Sequence, residues 1–260
     1  MLGTASTVRS WLLIEHPGPW GRFALAGDRL PDGLGDELRM RAAASGVRVL
    51  LIRRPGRSAA GSTVAFAIRS GPGEPWIERL GAGIPHEGAV FLVCTHGRHD
   101  PCCAERGRPL AEALASAFPE ETWESSHFGG DRFAGNLVAF PHGFYFGRVR
   151  PEESKGVART YLDGRLDLER LRGRSCLPMP VQAAEHFLRE HEGLDGVDDV
   201  EPEGAITTSS GARVRFRTAA GRSEVHLARG TDIVARRLTC HSQHEERPPT
   251  YRLLGIEPLP

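Results

Sequence analysis

The chain has 260 residues, of which 40% are hydrophobic and 25% are charged, as in a folded protein with one large domain or two smaller ones. Its formal net charge is +0, so no global field favours nucleic acid or an anionic membrane, and we expect neither partner. No apolar run reaches the roughly 18 residues of a membrane-spanning helix, and the N-terminus lacks a signal-peptide pattern. We therefore expect a cytoplasmic protein whose five cysteines are in a reducing compartment, where clustered cysteines more often bind metal or do redox chemistry.

The first part of the chain, residues 1–85, has the pattern of an α/β segment. Apolar residues at helical spacing predict a helix over residues 32–45, with Gly46 as its stop. Short apolar and β-branched runs predict the strands, which are residues 10–16, 47–52, 63–69 and 75–80. The stretch 81–88 is rich in Gly and Pro, and it predicts a connection to a second unit.

The second unit, residues 86–172, repeats the alternation of strands and helices. Its predicted strands are residues 89–94, 122–127, 137–140 and 144–149, and its predicted helices are residues 103–118 and 152–162. Pro109 falls inside the first helix and predicts a kink or a start there. Pro-His-Gly joins the last two strands as a hairpin. The order strand, helix, strand, strand, strand, helix is compatible with a thioredoxin-like layered α/β architecture.

The last part, residues 173–260, changes character and predicts a small α+β module. Residues 181–191 have the pattern of an amphipathic helix. The chain then predicts strands separated by glycine-containing turns, at residues 213–218, 223–228 and 233–239.

The first candidate functional residue is Cys94, which ends a predicted strand and begins the loop CTHGRHDPCC. Cys103 lies where the following helix should start, and a helix N-terminus stabilises thiolate, the form that binds metal or attacks disulfides. The spacing is not that of a CxxC redox pair. It indicates a loop wide enough to enclose a metal cluster.

A second passage, SSHFGGDRFAGN, would supply the other half of this site. His127 ends a predicted strand. Gly129 and Gly130 allow a tight bend, so that His127 and Asp131 can point at one centre.

These passages together resemble a known family. CTHGRHDPCC at 94–103, HFGGDRFAGN at 127–136 and PHGFYFGRV at 141–149 are similar to the sucrase/ferredoxin-like proteins, a branch of the thioredoxin-like ferredoxins. SWLLIEHPGPWG from Ser10 and SCLPMPVQAAEHFL from Ser175 are similar to its bacterial members. The resemblance covers nearly the whole chain, and it implies no sugar chemistry.

The resemblance implies a [2Fe–2S] cluster in a thioredoxin-like three-layer fold, passing single electrons between a reductase and an acceptor protein, with no catalysis required of the carrier itself. Where histidines are ligands in this family, two cysteines and two histidines hold the cluster. Cys94, Cys103 and His127 match three of these positions. The fourth, the second histidine of an HxGGH pattern, falls on Asp131, and a carboxylate is a harder ligand for iron than imidazole. Cys102 is the alternative fourth ligand.

A histidine ligand carries an expectation of its own. Replacing a thiolate by neutral imidazole raises the potential of a cluster, to roughly −150 to +300 mV in Rieske centres. Because a ligating imidazole can exchange a proton with the change of redox state, we expect a pH-dependent potential if His127 is a ligand.

The residues alone are compatible with two other functions. A thioredoxin-like thiol oxidoreductase would use Cys94 or Cys103 as a nucleophile, and it predicts a colourless protein with a reactive thiol, although the CxxC pair is missing. A structural zinc module would use two or three cysteines with His127, and it predicts stoichiometric zinc and metal-dependent stability.

The remaining cysteines and histidines favour ordinary structural or solvated positions. Cys176 is expected to be structural. Cys240, in the sequence CHSQH, has a metal-like spacing that no second pair completes, so a solvated strand end is the favoured interpretation. His96 and His99 are expected to line the loop, with a spare ligand or a hydrogen bond to sulfur as the alternative.

Overall fold

The computed structural model describes residues 1–26, 30–56, 64–81 and 84–260, which form a mixed α/β protein. The strands are β1 (Ser10–Glu15), β2 (Val47–Arg53), β3 (Ala65–Arg69), β4 (Trp76–Leu80), β5 (Ile84–Pro85), β6 (Val90–Cys94), β7 (Thr122–Ser125), β8 (Leu137–Phe140), β9 (Phe144–Phe146), β10 (Leu171–Arg174), β11 (Glu201–Thr207), β12 (Gly211–Thr218), β13 (Gly221–Thr231) and β14 (Pro249–Leu259). The helices are α1 (Leu34–Ser45), α2 (Pro101–Ala117), α3 (Ser154–Leu162) and α4 (Met179–Glu192), and 3-10 turns occupy Asp131–Phe133 and Pro151–Glu153. Within the described ranges, no helix has the length and apolar character that crossing a membrane requires.

Ten strands form one large, curled mixed sheet in the order β10-β9-β8-β6-β7-β2-β1-β3-β4-β5. The pairs β1–β2 and β6–β7 are parallel, and the other neighbouring pairs are antiparallel. Strand β6 (VFLVC) is buried at every residue, which explains why its sequence is apolar throughout rather than alternating. The sheet therefore carries β6 and its last residue, Cys94, through the middle of the core.

The sheet runs across the predicted boundary between residues 85 and 86. Strands β2 and β7 pair with each other, with Ile52 opposite Ser125, and so join the segment 1–85 to the segment 86–172. One apolar core is also common to both, because Trp11 and Leu50 pack in the same cluster as Val90 and Tyr145. The predicted division at this point separates two halves of one sheet.

Helix α2 connects the parallel strands β6 and β7 and begins at Pro101, slightly before the predicted start at Cys103. Asp100 caps the helix by accepting a hydrogen bond from the Cys102 N–H, and Pro101 suits the first turn because it has no N–H to satisfy. The helix continues through Pro109. A Cβ at Gly107 would lie 2.0 Å from the Cys94 carbonyl oxygen, so only glycine lets α2 pack this closely on β6.

The C-terminal part is a four-stranded antiparallel sheet, in the order β11-β12-β13-β14, with α4 packed on it. The predicted strands at 213–218 and 223–228 lie within β12 and β13. The strand predicted at 233–239 is wrong, because Ile233 and Val234 are 87% and 56% exposed and no strand forms there. The partner of β13 is instead β14, an edge strand, where its prolines leave no ladder bond unmade.

Other elements differ from the prediction mostly at their ends. Strand β7 ends at Ser125 rather than residue 127, and β9 ends at Phe146 rather than residue 149. Strands β10 and β11 were not predicted, since each is short or polar and is held in place by an antiparallel neighbour. Thr63, the predicted start of β3, lies outside the described residues.

Candidate metal centre

Three of the predicted ligands come together at one edge of the large sheet. Strands β6 and β7 are parallel neighbours, so their carboxyl ends lie side by side, with Cys94 opposite Ser125. Cys94 ends β6, and His127 follows β7 by two residues. Cys103 lies in the first turn of α2, the helix that leaves the loop after Cys94. The topology therefore brings together residues that are distant in the sequence.

The donor atoms of Cys94, Cys103 and His127 all lie within 4.8 Å of one another. The Nδ1 atom of His127 is 3.7 Å from the Cys94 Sγ and 3.8 Å from the Cys103 Sγ. Both cysteines are almost fully buried, with 3% and 1% of their surface exposed. Two sulfurs and a ring nitrogen thus face one point, and this is a donor set that suits zinc or an iron–sulfur centre.

Asp131 lies beside this set at the start of the 3-10 turn. Its Oδ1 is 3.0 Å from the His127 Nδ1 and 3.6 Å from the Cys103 Sγ. Burial disfavours the charged form of His127, but its hydrogen bonds to Asp131 and Cys94 outweigh burial and raise its pKa to about 9. A proton shared with Asp131 is therefore held on the nitrogen that faces the two sulfurs.

The pKa values of the two buried cysteines are shifted in opposite directions. A hydrogen bond from Cys103 lowers the pKa of Cys94 well below its usual value, against the effect of burial, and His127 lowers it further. The same hydrogen bond to Cys94, with burial and the nearby negative charges, raises the pKa of Cys103. These opposite shifts favour a thiolate at Cys94 beside a thiol and an imidazolium, and a metal ion would displace both of those protons.

His96 and His99 have different places around His127. The His96 Nδ1 accepts the His127 backbone N–H at 3.2 Å, so its Nε2 carries the proton that is donated to the Gly21 carbonyl oxygen at 2.7 Å. With both nitrogens engaged, His96 positions His127. His99 stacks on the His127 ring, with centroids 3.9 Å apart, and its donor atom lies within 4.8 Å of those of His127 and Asp131.

Cys102 belongs to a neighbouring group rather than to the three-residue set. Its Sγ donates a hydrogen bond to the Asp131 carbonyl oxygen at 3.3 Å. The same sulfur lies within 4.8 Å of a carboxylate oxygen of Asp100 and of the Cys240 sulfur. Burial and hydrogen bonds to Cys240 and Asp100 raise the pKa of the Cys102 thiol. Asp131, by contrast, contacts both His127 and Cys103 through its carboxylate.

Cys240 is the residue of this region that sequence reasoning set aside. Its backbone N–H donates to the Asp100 Oδ2 at 2.7 Å, so the segment between β13 and β14 lies against the N-terminus of α2. Burial opposes the charged form of Asp100, but hydrogen bonds from Cys240 and Cys102 outweigh it and lower the pKa of this carboxyl. The CHSQH spacing was the available signal, but nothing in it indicated the neighbour. Cys176 packs against the C-terminal core, as expected.

The loop from His127 to Asp131 is fixed by a buried arginine. Gly130 has φ +90°, and a Cβ there would lie 2.3 Å from the Arg172 guanidinium. Arg172 donates to the Asn136 Oδ1 at 2.7 Å, and the Asn136 amide donates to the Gly130 carbonyl oxygen at 2.8 Å. The bend that the sequence predicted from Gly129 and Gly130 is therefore a rigid one.

Comparison with known proteins adds one finding. No curated protein and no solved structure shows significant similarity to this chain. The family model described as sucrase/ferredoxin-like matches residues 1–173, which include the large sheet and all the metal-ligand candidates on it. Since that match extends over more than half of the residues, the chain belongs to the sucrase/ferredoxin-like family.

Proposed function

We propose that the protein is an electron carrier that holds a [2Fe–2S] cluster on Cys94, Cys103 and His127. The observation that carries the proposal is the convergence of two buried sulfurs and one imidazole nitrogen within 4.8 Å, at one edge of the sheet. Membership of the sucrase/ferredoxin-like family supports it. The redox partners would be a reductase and an acceptor protein.

The chemistry of the donor set fits such a group. Thiolates and imidazole are the ligands of iron–sulfur centres, and mixed cysteine and histidine ligation raises their potential. For the fourth position we favour Asp131, because its carboxylate contacts both His127 and Cys103. Cys102 is the alternative, since its thiol is 3.3 Å from the Asp131 backbone oxygen.

The arrangement of residues 86–172 supports a thioredoxin-like fold for the proposed ferredoxin domain. Within the large sheet, β9, β8, β6 and β7 are neighbours in that order, with α2 between the parallel strands β6 and β7. The hairpin of β8 and β9 is antiparallel, and α3 follows it. This is the strand and helix order from which the sequence predicted such an architecture.

The proposed centre would exchange single electrons, and the chain's own residues would set the conditions. Cys94, Cys103 and Phe128 are buried and exclude water from one side of the site. The His127 side chain retains 18% exposure, so it is the part of the donor set that an electron-transfer partner or a proton can reach. His96 holds the His127 backbone through its N–H, and Asp131 holds the His127 ring at Nδ1 in the metal-free protein.

The test is anaerobic purification of the full chain, followed by an absorption spectrum and assays of iron and acid-labile sulfide. We expect a red-brown protein with about two irons and two sulfides per chain, the composition of this cluster type. Cys94→Ala and His127→Ala should lose the colour. Cys176→Ala is the matched control, because it removes a half-buried thiol from the C-terminal core, and it should keep the colour.

The alternatives give other results in the same experiment. A colourless protein that takes up no iron on reconstitution would overturn the proposal. Stoichiometric zinc in that protein would favour a structural zinc module, because the three-residue set suits one tetrahedral ion as well. A metal-free protein whose Cys94 reacts rapidly with thiol reagents would favour a thiol oxidoreductase, which the low pKa of Cys94 also allows.

A further inference from the structure

A cavity beside the metal centre has an unusual concentration of arginines. It has a volume of about 420 Å³, and the side chains of Cys102 and Asp131 form part of its wall. Four arginines from separate parts of the chain also line it: Arg106 on α2, Arg132 in the 3-10 turn, Arg148 after β9 and Arg237 in the segment between β13 and β14. Only the tertiary structure brings these four cations together.

None of these four arginines is paired with a carboxylate within the described residues, although other arginines close by are. Arg236 pairs with Asp232 at 2.6 Å, and Arg150 pairs with Glu153 at 2.6 Å. Over the described ranges of the chain, Arg106, Arg132, Arg148 and Arg237 have no carboxylate oxygen within 4.0 Å. The one acidic residue in the wall, Asp131, directs its Oδ1 to His127 and Cys103.

Two of the guanidinium groups are held in place without an anion. Those of Arg132 and Arg148 lie 4.6 Å and 5.7 Å from the centre of the Phe133 ring. Arg148 has φ +57°, a left-handed conformation that is unfavourable for a residue other than glycine. Its N–H donates to the Phe133 carbonyl oxygen at 2.8 Å, which stabilises that conformation. The backbone thus accepts strain at a residue whose side chain lines the cavity.

We propose that this cavity binds a small polyvalent oxyanion, a molecule with phosphate or several carboxylate groups. Guanidinium groups bind both kinds of oxyanion through paired N–H donors, and an anion would relieve the mutual repulsion of four unpaired cations. The cavity volume lies in the range of roughly 300–1,000 Å³ that is typical of small-molecule sites. The proposal does not depend on the cluster, because none of these arginines is a candidate metal ligand.

Isothermal titration calorimetry of the full chain tests this site, with pyrophosphate and citrate as probes at constant ionic strength. We expect at least one probe to bind, and the stronger of the two identifies the phosphate or the polycarboxylate class. Arg106→Gln and Arg237→Gln should each weaken that binding by tenfold or more. Arg229→Gln, which removes an exposed arginine from β13, should leave it unchanged.

Three results would overturn the proposal. The first is that neither probe binds. The second is that all three variants weaken binding equally, which would indicate general charge attraction. The third result is that a polyglutamate peptide binds and that both small anions do not bind. It would make the arginines a docking surface for an acidic protein. Thermal unfolding of each variant shows whether it is folded, so a loss of binding can be separated from a loss of structure.

Discussion

Two of the buried polar clusters in the described part of the chain have contents that are opposite in kind. In the C-terminal half, the Glu185 carboxylate contacts Arg174 at 2.8 Å and Arg189 at 2.9 Å, and all three side chains are at most 3% exposed. The chain itself supplies the counter-charge here, with one carboxylate between two guanidinium groups. Around His127, by contrast, two sulfurs, an imidazole and a carboxylate direct their lone pairs at one another. Without a metal, these atoms are joined by shared protons. The first cluster consists of ion pairs made within the chain, whereas the second has the composition of a site for a cation.

The largest expected effect tests the Glu185 cluster. Glu185→Gln leaves two buried guanidinium groups without a counter-charge, which costs about 3–5 kcal/mol in the free energy of unfolding. The matched control is Glu152→Gln, in an ion pair with Arg150 whose side chains are 65% and 67% exposed, and it should cost less than about 1 kcal/mol. Urea unfolding measures both. Equal losses in the two variants would show that burial does not distinguish these pairs.

The next effect tests whether the His127 cluster needs a cation. Reconstitution should raise the free energy of unfolding of the wild type by about 2.7 kcal/mol or more, the gain from a ligand at a hundred times its Kd. Cys94→Ala should lose this gain, because it removes a sulfur 3.7 Å from the His127 Nδ1. Unfolding of reconstituted and chelator-treated samples measures the difference. Cys176→Ala should keep it, and so should any folded Glu185→Gln protein.

A smaller effect is expected from His96, which positions His127 without being part of the donor set. His96→Ala removes the acceptor of the His127 backbone N–H, and such outer partners typically change metal affinity about 10–100-fold. Competition with a chelator measures the affinity, and the absorption spectrum of the bound centre reports its geometry. His96→Asn supplies an acceptor oxygen and should restore part of the affinity. An unchanged affinity and spectrum in His96→Ala would remove His96 from this role.

The smallest effect is the pH dependence of the metal-free protein. The lowered pKa of Cys94, and the pKa of His127 raised to about 9, favour a folded state in which Cys94 has lost its proton and His127 holds one. From pH 6.5 to about 8.5 the unfolded chain has a protonated cysteine and a neutral histidine, so the pair binds the same number of protons in both states. Its contribution to the free energy of unfolding is therefore level across this window.

Below pH 6.5 the unfolded histidine gains a proton that the folded pair does not, so the contribution of the pair decreases with acidification. The lowered pKa values of His96 and His99 act in the same direction. In Cys94→Ala only the raised pKa of His127 remains, and stability should decrease as pH rises through the window. Urea unfolding at several pH values compares the two proteins. A variant curve parallel to the wild type would contradict the thiolate–imidazolium pair.

Local sequence patterns located most of the elements around the site. The apolar run of β6 predicted a strand, which the structure buries at every residue, and Gly46 predicted the end of α1, where it adopts the left-handed conformation. Two of the errors in the C-terminal sheet arose because local patterns do not show which residues the fold exposes or places at an edge. Residues 233–239 looked apolar enough for a strand but stay exposed, and β14 was missed because its prolines and glycine are tolerated only at an edge.

The sequence by itself determined which residues could carry chemistry: Cys94 and Cys103 around the loop, His127 and Asp131 around the paired glycines, and the family to which they belong. Those features are local, since strand ends, helix starts and tight turns depend on neighbouring residues. Only the tertiary structure decided that Asp131 contacts His127 and that Cys240 lies against Asp100. It also gathered Arg106, Arg132, Arg148 and Arg237 at one cavity. Such contacts depend on strand order and packing across the whole chain, and no local pattern encodes them.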